Sequence, residues 1–350
     1  MTSTDKIKTL IILLGIMLSV NFKYSESRGA EPTLTLVAPQ VERAYSEQEL
    51  DAIANSDSQR HETVDGYVAD ARLVALFSEF VYCGEVDGAD VRVPFRLRTP
   101  SQLRPGRRYP LVVLFHGYGE SDDDNTRQLS HLHYAIRSFA GPDRIDAFVL
   151  ATQCPKDCSS WDSAANRYGA EPIKLTEHII EALEKEFPID PRRVAALGVC
   201  SGANAARALS EERPELFCAL ALCGYSPSSI NTDRFPAPTW AFNNTHDEIA
   251  SIKDVRAAIK NARSRGDSVW LTERPGVHDS WSRALRDDRA VSWLAARAQT
   301  DALPPPPYTV CGRKKTAGEL AAGFAAPLAA LCLVFWGTSL LYRSRRTRNS

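Results

Sequence analysis

The chain has 350 residues, enough for one large domain or two small ones, and 44% of them are hydrophobic against 24% charged. That balance is ordinary for a globular protein. A formal net charge of −1 gives no hint of nucleic acid, and none is expected as a partner.

Lys6 and Lys8 precede an apolar stretch from Thr9 to Val20, a basic n-region and a core of about twelve residues. This is short for a membrane span and fits an export signal, with residues 1–30 as signal peptide and a cut near Ala30; an uncleaved anchor is the alternative. Residues 31–75 are mostly polar and read as a leader outside the main domain. Ser46-x-x-Glu49 forms a capping box there and opens one short helix.

From there the chain alternates strand and helix. Val91 to Arg98 switches between apolar and polar positions, as an antiparallel edge strand does. Leu111–Phe115 and Ala147–Ala151 are nearly continuous apolar runs, as in strands buried on both faces. Val194–Leu197, Leu216–Cys223, Trp240–Phe242 and Val269–Thr272 continue the series. Between them, Leu175, Ile179, Leu183 and Phe187 repeat at helical period, and Ser251 caps a helix over 252–262. This order predicts a mostly parallel sheet with helices on both faces, in a domain spanning 76–298.

A Pro-rich linker follows at 299–319, with Pro304 to Pro307 at its centre. Leu320 to Tyr342 then contains no charged residue and is long enough for a transmembrane helix. Arg343, Arg345, Arg346 and Arg348 in the tail at 343–350 suit a cytoplasmic stop, although Arg313, Lys314 and Lys315 lie on the other side. A sorting tail removed after export has the same pattern. In both cases the domain is expected outside the cytoplasm, and a retained C-terminal helix tethers it to the membrane.

Of the eight cysteines, Cys332 falls in the apolar segment. Cys83, Cys154, Cys158, Cys218, Cys223 and Cys311 could form bridges of undetermined connectivity, with Cys154 and Cys158 near enough for a local one. No second Cys/His pair stands at zinc spacing, so no metal is expected.

Val194-Ala-Ala-Leu-Gly198-Val-Cys200-Ser-Gly202 is a strand entering a tight turn, with glycines two residues either side of Cys200. That is the spacing of a nucleophile elbow, where side chains at minus two and plus two would collide. Ser201 would need glycines at 199 and 203, where Val199 and Ala203 stand, so Cys200 holds the nucleophile slot. In parallel sheets chemistry gathers beyond the carboxyl ends of the strands. Those ends supply His116-Gly-Tyr-Gly-Glu120, Cys200, Asn243-Asn-Thr-His-Asp247 and Gly276-Val-His278-Asp-Ser-Trp281. Nucleophile, acid and base thus run Cys200, Asp247, His278, the chain order of an α/β-hydrolase.

Four ordered segments carry a resemblance over roughly residues 80–298. They are His116-Gly-Tyr-Gly-Glu-Ser-Asp-Asp-Asp-Asn-Thr-Arg-Gln128-Leu, Gln153-Cys-Pro-Lys156 with Trp161, Ile189-Asp-Pro-Arg-Arg-Val194 and Gly276-Val-His-Asp-Ser-Trp281. Together they resemble the secreted esterase and "predicted peptidase" branch of the α/β-hydrolases, related to polyhydroxybutyrate-depolymerase-like and feruloyl-esterase-like enzymes. The resemblance implies Cys200 as nucleophile, His278 as base, Asp247 as the acid orienting it, and the backbone N–H groups of Tyr118 and Ser201 as oxyanion donors. Serine is usual at position 200 in that branch; cysteine there is similar to the elbow of dienelactone hydrolases. Ala203 stands where the branch prefers a second glycine.

The expected chemistry is acyl transfer to Cys200 from a small or polymeric carboxylic ester, through a thioester, without metal or cofactor. A peptidase of the same fold, an inactive hydrolase-fold binding domain and a redox-responsive thiol protein are the alternatives. Trp161 is read as a wall of the substrate pocket or a packing residue. His116 is read as ordering its own turn, His246 as a surface loop residue, and Asp122–Asp124 as a solvated loop. Glu248 and Asp279 compete with Asp247 for the acid. Asn243-Asn-Thr245 matches a glycosylation sequon at a strand end.

Overall fold

The structure is a computed structural model, and it describes residues 31–55, 68–158 and 160–297. The signal segment, the Pro-rich linker, the apolar stretch at 320–342, Cys311 and Cys332 lie outside the described residues. Among the described residues, no helix is long and apolar enough to cross a membrane.

In chain order the elements are β1 (Thr33–Ala38), α1 (Glu47–Ala54), α2 (Ala71–Val74), β2 (Ser78–Val86), β3 (Ala89–Arg98) and β4 (Tyr109–Phe115). Two 3-10 segments, Tyr118–Glu120 and Arg127–Ala135, lead to α3 (Ile136–Ala140), β5 (Phe148–Thr152), α4 (Pro172–Glu186), β6 (Ile189–Val199) and α5 (Ser201–Glu212). Then come β7 (Ala219–Cys223), β8 (Thr239–Asn244), α6 (Ile252–Ser264), β9 (Val269–Arg274), α7 (Trp281–Arg286) and α8 (Ala290–Ala295).

The strands form one nine-stranded sheet in the order β1-β2-β3-β5-β4-β6-β7-β8-β9. From β5 through β9 all neighbours are parallel, while β1, β2 and β3 add an antiparallel flank. The chain leaves β4 to one side for β5 and then crosses to the other side for β6, so the order reverses at β4. A crevice forms where connections diverge in this way, at the carboxyl ends of β4 and β6.

Alternation explains the two layers. Leu111, Val113 and Phe115 of β4 face one core with Leu175, Ile179 and Leu183 of α4 and Leu209 of α5. Val112 and Leu114 face the other, with Leu132, Phe139, Leu285 and Leu294. Every residue of β4, β5, β7 and β8 is buried, which is why β4, β5 and β7 read as nearly continuous apolar runs.

Two expectations are corrected. Val91–Arg98 lies in an antiparallel strand, but β3 is interior, because β2 and β1 continue the sheet beyond it. Residues 31–55 are also not wholly a leader. Leu34 is buried in β1, paired to Tyr82, and α1 buries Leu50 and Ile53 against the second core. The capping box forms as expected, with Ser46 Oγ accepting from the Glu49 N–H and Glu49 accepting from the Ser46 N–H. A polar segment joins the domain because a few apolar residues at the right period suffice to bury one face.

The six described cysteines are free thiols. Cys154 and Cys158 are hydrogen-bonded to one another rather than bridged. That bond, with the Cys154 thiol donating, draws the Cys158 thiol down to about 7.

Ile53 is fully buried, so truncation to Ala is expected to cost about 2–5 kcal/mol by opening a cavity. Urea denaturation checks this. A loss below about 0.5 kcal/mol would return the segment to the status of a leader.

Candidate active site

At the end of β6 the backbone turns through Cys200 with φ 53° and ψ −119°, a conformation that L residues rarely adopt. The glycines around it are required by contact. A Cβ on Gly198 would lie 2.5 Å from Ala203 Cα, and one on Gly202 would lie 2.1 Å from the Phe115 carbonyl oxygen. The turn is pinned by the Cys200 N–H to the Cys223 carbonyl at 2.8 Å and the Ala203 N–H to the Cys200 carbonyl at 2.9 Å. Cys200 is the N-cap of α5, so the positive end of that helix is directed at the sulfur.

His278 Nε2 lies 3.1 Å from Cys200 Sγ, and its Nδ1 lies 2.8 Å from Asp247 Oδ2. The other Asp247 oxygen accepts the N–H groups of Ile249 and Ala250 at 2.9 and 2.8 Å, which fixes the carboxylate's orientation. Of its competitors, Glu248 is exposed, and Asp279 accepts the Ser282 N–H at the start of α7. Burial alone would depress the His278 imidazole, but its bonds to Cys200 and Asp247 outweigh that and raise it to about 9.

His116 behaves in the opposite way. It is fully enclosed, and burial pushes it below the ordinary histidine range. Its Nε2 accepts the Cys154 N–H at 2.9 Å, which leaves the proton on Nδ1, 2.6 Å from the Gly117 carbonyl. That carbonyl and the Tyr118 N–H belong to one trans peptide, so a carbonyl held toward His116 turns the N–H the other way. No protein acceptor takes the N–H of Tyr118 or of Ser201 among the described residues.

The remaining expectations fall into place around this geometry. Trp161 is 4% exposed and packs behind the turn, donating its Nε1–H to the His116 carbonyl at 3.1 Å. The Tyr118 side chain is 67% exposed. His246 is exposed on the acid loop. Asp122 and Asp123 pair with Arg127 and Arg167, and Asp124 accepts from Gln153, Thr126 and Arg127, so the loop is internally satisfied. Asn243 of the sequon is 1% exposed and donates to the Tyr225 carbonyl, which leaves no room for a glycan in the folded state.

Two positioning residues carry no motif in the sequence. Asn244 at the end of β8 donates to the carbonyls of Val277 and Asp279, at 2.8 and 3.0 Å, and so clamps both sides of His278. Gly224, at φ 66° after β7, leaves room for the imidazole: a Cβ there would lie 3.2 Å from His278 Cε1. A glycine or asparagine directly after a buried strand is the only sequence signal either one offers.

No protein-family model matches the chain, and no curated protein matches it. Among solved structures it is similar to a thermostable esterase, with 28% identity over 65% of this chain and a TM-score of 0.57. The chain spans 64% of that protein's length. A ferulic acid esterase shares 14% identity over 59% of this chain and 93% of its own, with a TM-score of 0.47. S-formylglutathione hydrolase (FrmB) from Staphylococcus aureus, as apoenzyme, shares 14% over 63% of this chain and 98% of its own, also with a TM-score of 0.47. The chain has the α/β-hydrolase fold, with a mostly parallel central sheet.

Gly202→Ala would drive a methyl into the Phe115 and His116 carbonyls, and flexible side chains cannot absorb that clash. A fall in Tm together with altered iodoacetamide reactivity at Cys200 is expected. Unchanged values for both would show that the elbow tolerates a wider turn.

Proposed function

We propose that this chain is an exported, membrane-tethered carboxylic ester hydrolase that works through a Cys200–His278–Asp247 triad and an acyl-enzyme. The observation that carries the proposal is the line from Cys200 Sγ to His278 Nε2 at 3.1 Å and from His278 Nδ1 to Asp247 at 2.8 Å, set at a strained elbow. Similarity to a thermostable esterase supports the substrate class. Export and tethering rest on the basic-apolar N-terminus and on the uncharged stretch from Leu320 to Tyr342.

With His278 raised to about 9, the ring is an imidazolium at neutral pH, and both nitrogens donate: Nδ1–H to Asp247 and Nε2–H to the sulfur. Sulfur then attacks the ester carbonyl carbon. The carbonyl oxygen takes the electron pair and is held by the Tyr118 and Ser201 N–H groups. As the C–O bond breaks, the imidazolium gives its proton to the leaving alcohol. Water attacks the thioester with His278 as base, the acid departs, and the proton returns to the cysteine–histidine pair. Such an arrangement needs neither a metal nor an organic cofactor for any step.

Hydrolysis of short-chain nitrophenyl esters tests the reading. Cys200→Ala and His278→Ala are expected to lose at least about 1,000-fold in kcat/KM. Retention of wild-type turnover by Cys200→Ala would sink the thiol mechanism, and an inactive wild type would leave a binding domain on a hydrolase scaffold. On an alkyl ester, whose alkoxide leaves only with a proton, the acylation rate is expected to fall as pH rises through about 9, where the imidazolium loses that proton. Stability follows the same sign. A pKa raised on folding contributes fully below the unfolded value of about 6.5 and is lost as pH rises through the folded one.

Cell fractionation checks the tether. Full-length chain should pellet with membranes, and a chain ending at residue 298 should not. Equal solubility of the two would remove it.

A further inference from the structure

Beneath the oxyanion turn lies a second carboxylate and imidazole that the triad does not use. Glu120 is 1% exposed, and its Oε1 accepts from His131 Nε2 at 2.8 Å. Its Oε2 has no hydrogen-bond partner among the described residues. Burial opposes its ionisation, but His131, with smaller contributions from His116 and the Gly117 backbone, outweighs that and holds the carboxyl below the ordinary glutamate range. A buried charge with half its oxygens unpaired is costly, and an apolar side chain would fill the space more cheaply.

The position of the free oxygen explains its presence. The point where a Gly117 Cβ would sit is 2.9 Å from Glu120 Oε2 and 3.3 Å from Cys200 Cβ, so carboxylate and nucleophile flank the same glycine. Glu120 Oε2 is also 4.0 Å from His116 Nδ1, the atom whose proton holds the Gly117 carbonyl. A negative charge there favours the proton on Nδ1 over Nε2, the same tautomer that the Cys154 N–H requires. At the other end of the turn, Gln153 Nε2 donates to the Glu120 carbonyl at 3.1 Å. The His131 ring centroid in turn lies 4.9 Å from that of Trp281, which meets His278 in a T-shaped contact at 5.3 Å between centroids.

We propose that Glu120, held by His131, is the positioning residue of the oxyanion hole. It supports Gly117 from below and fixes the His116 proton, and through both it sets the direction of the Tyr118 N–H relative to Cys200. The inference rests on the ester-hydrolase reading. It assigns to a buried glutamate a function that appears only when an oxyanion forms. Such an interaction lowers the barrier without tightening substrate binding.

The test compares wild type with Glu120→Gln, which keeps shape and removes charge, on a nitrophenyl ester. A donor misaimed by a fraction of an ångström to an ångström is expected to cost up to about 100-fold in kcat. KM should stay within about twofold, since ground-state binding does not use the donor. A short-chain aldehyde, which adds to the thiol and places an oxyanion in the hole, should bind more weakly in proportion to kcat. Alkylation of Cys200 by iodoacetamide, which forms no oxyanion, should keep its wild-type rate.

That split separates positioning from mere structural support, because a loosened fold would change alkylation as well. An unchanged kcat in Glu120→Gln overturns the proposal, and so does a parallel fall in kcat and alkylation. If Glu120→Gln does not fold, His131→Phe, which removes the donor holding the carboxylate and keeps a ring in its place, is held to the same outcomes. A wild type without esterase activity would overturn the hydrolase reading and this inference together. An active wild type with an indifferent Glu120 would overturn only the inference.

Discussion

The backbone at Cys200, at φ 53° and ψ −119°, is the constraint to which the rest of the site is referred. A residue in that region is strained by steric contact with its own Cβ, and the strain persists only where the surroundings over-determine it. Here they do: β4 and β7 on either side of β6, the Cys223 carbonyl on the Cys200 N–H, and α5 beginning at once on the far side. Gly198 and Gly202 are the places where the sheet, the helix and the neighbouring turn approach too closely for any side chain. In return the sulfur stands clear of the sheet at the positive end of a helix.

Two histidines show how the same residue type acquires different properties from its surroundings. His116 is enclosed, bonded by a backbone N–H on one nitrogen and to a carbonyl on the other, and burial keeps it neutral. It acts as a fixed strut that orients a peptide. His278 is only partly enclosed, lies between a sulfur and a carboxylate, and is raised to about 9. Burial disfavours the charged form in both; partners reverse the outcome only where they are anionic or can become so.

Legibility followed the physics of burial. Strands β4, β5 and β7, buried on both faces, left unbroken apolar runs that could be read from one window of sequence. The elbow was legible because its glycine spacing is a local steric demand, and the order Cys200, Asp247, His278 because each follows a strand. β1 and β2 were harder. Thr33–Ala38 buries only Leu34, and its pairing depends on β2, more than forty residues further along the chain, so no local pattern announces it. Asn244 and Gly224 act through single contacts with the His278 loop, and a single contact has no period.

The sequence by itself determined the strand and helix alternation, the glycine-flanked turn at Cys200 and the chain order of the three polar groups, because periodicity and close backbone contact are local properties. Tertiary structure decided which of the carboxylates Asp247, Glu248 and Asp279 faces His278, since no local pattern records the direction of a side chain. It also decided that His116 serves the turn, that Trp161 packs behind it, and that a buried Glu120 lies under Gly117. Those assignments rest on distances between segments far apart in the chain. Such distances are fixed only when the two cores close on the sheet.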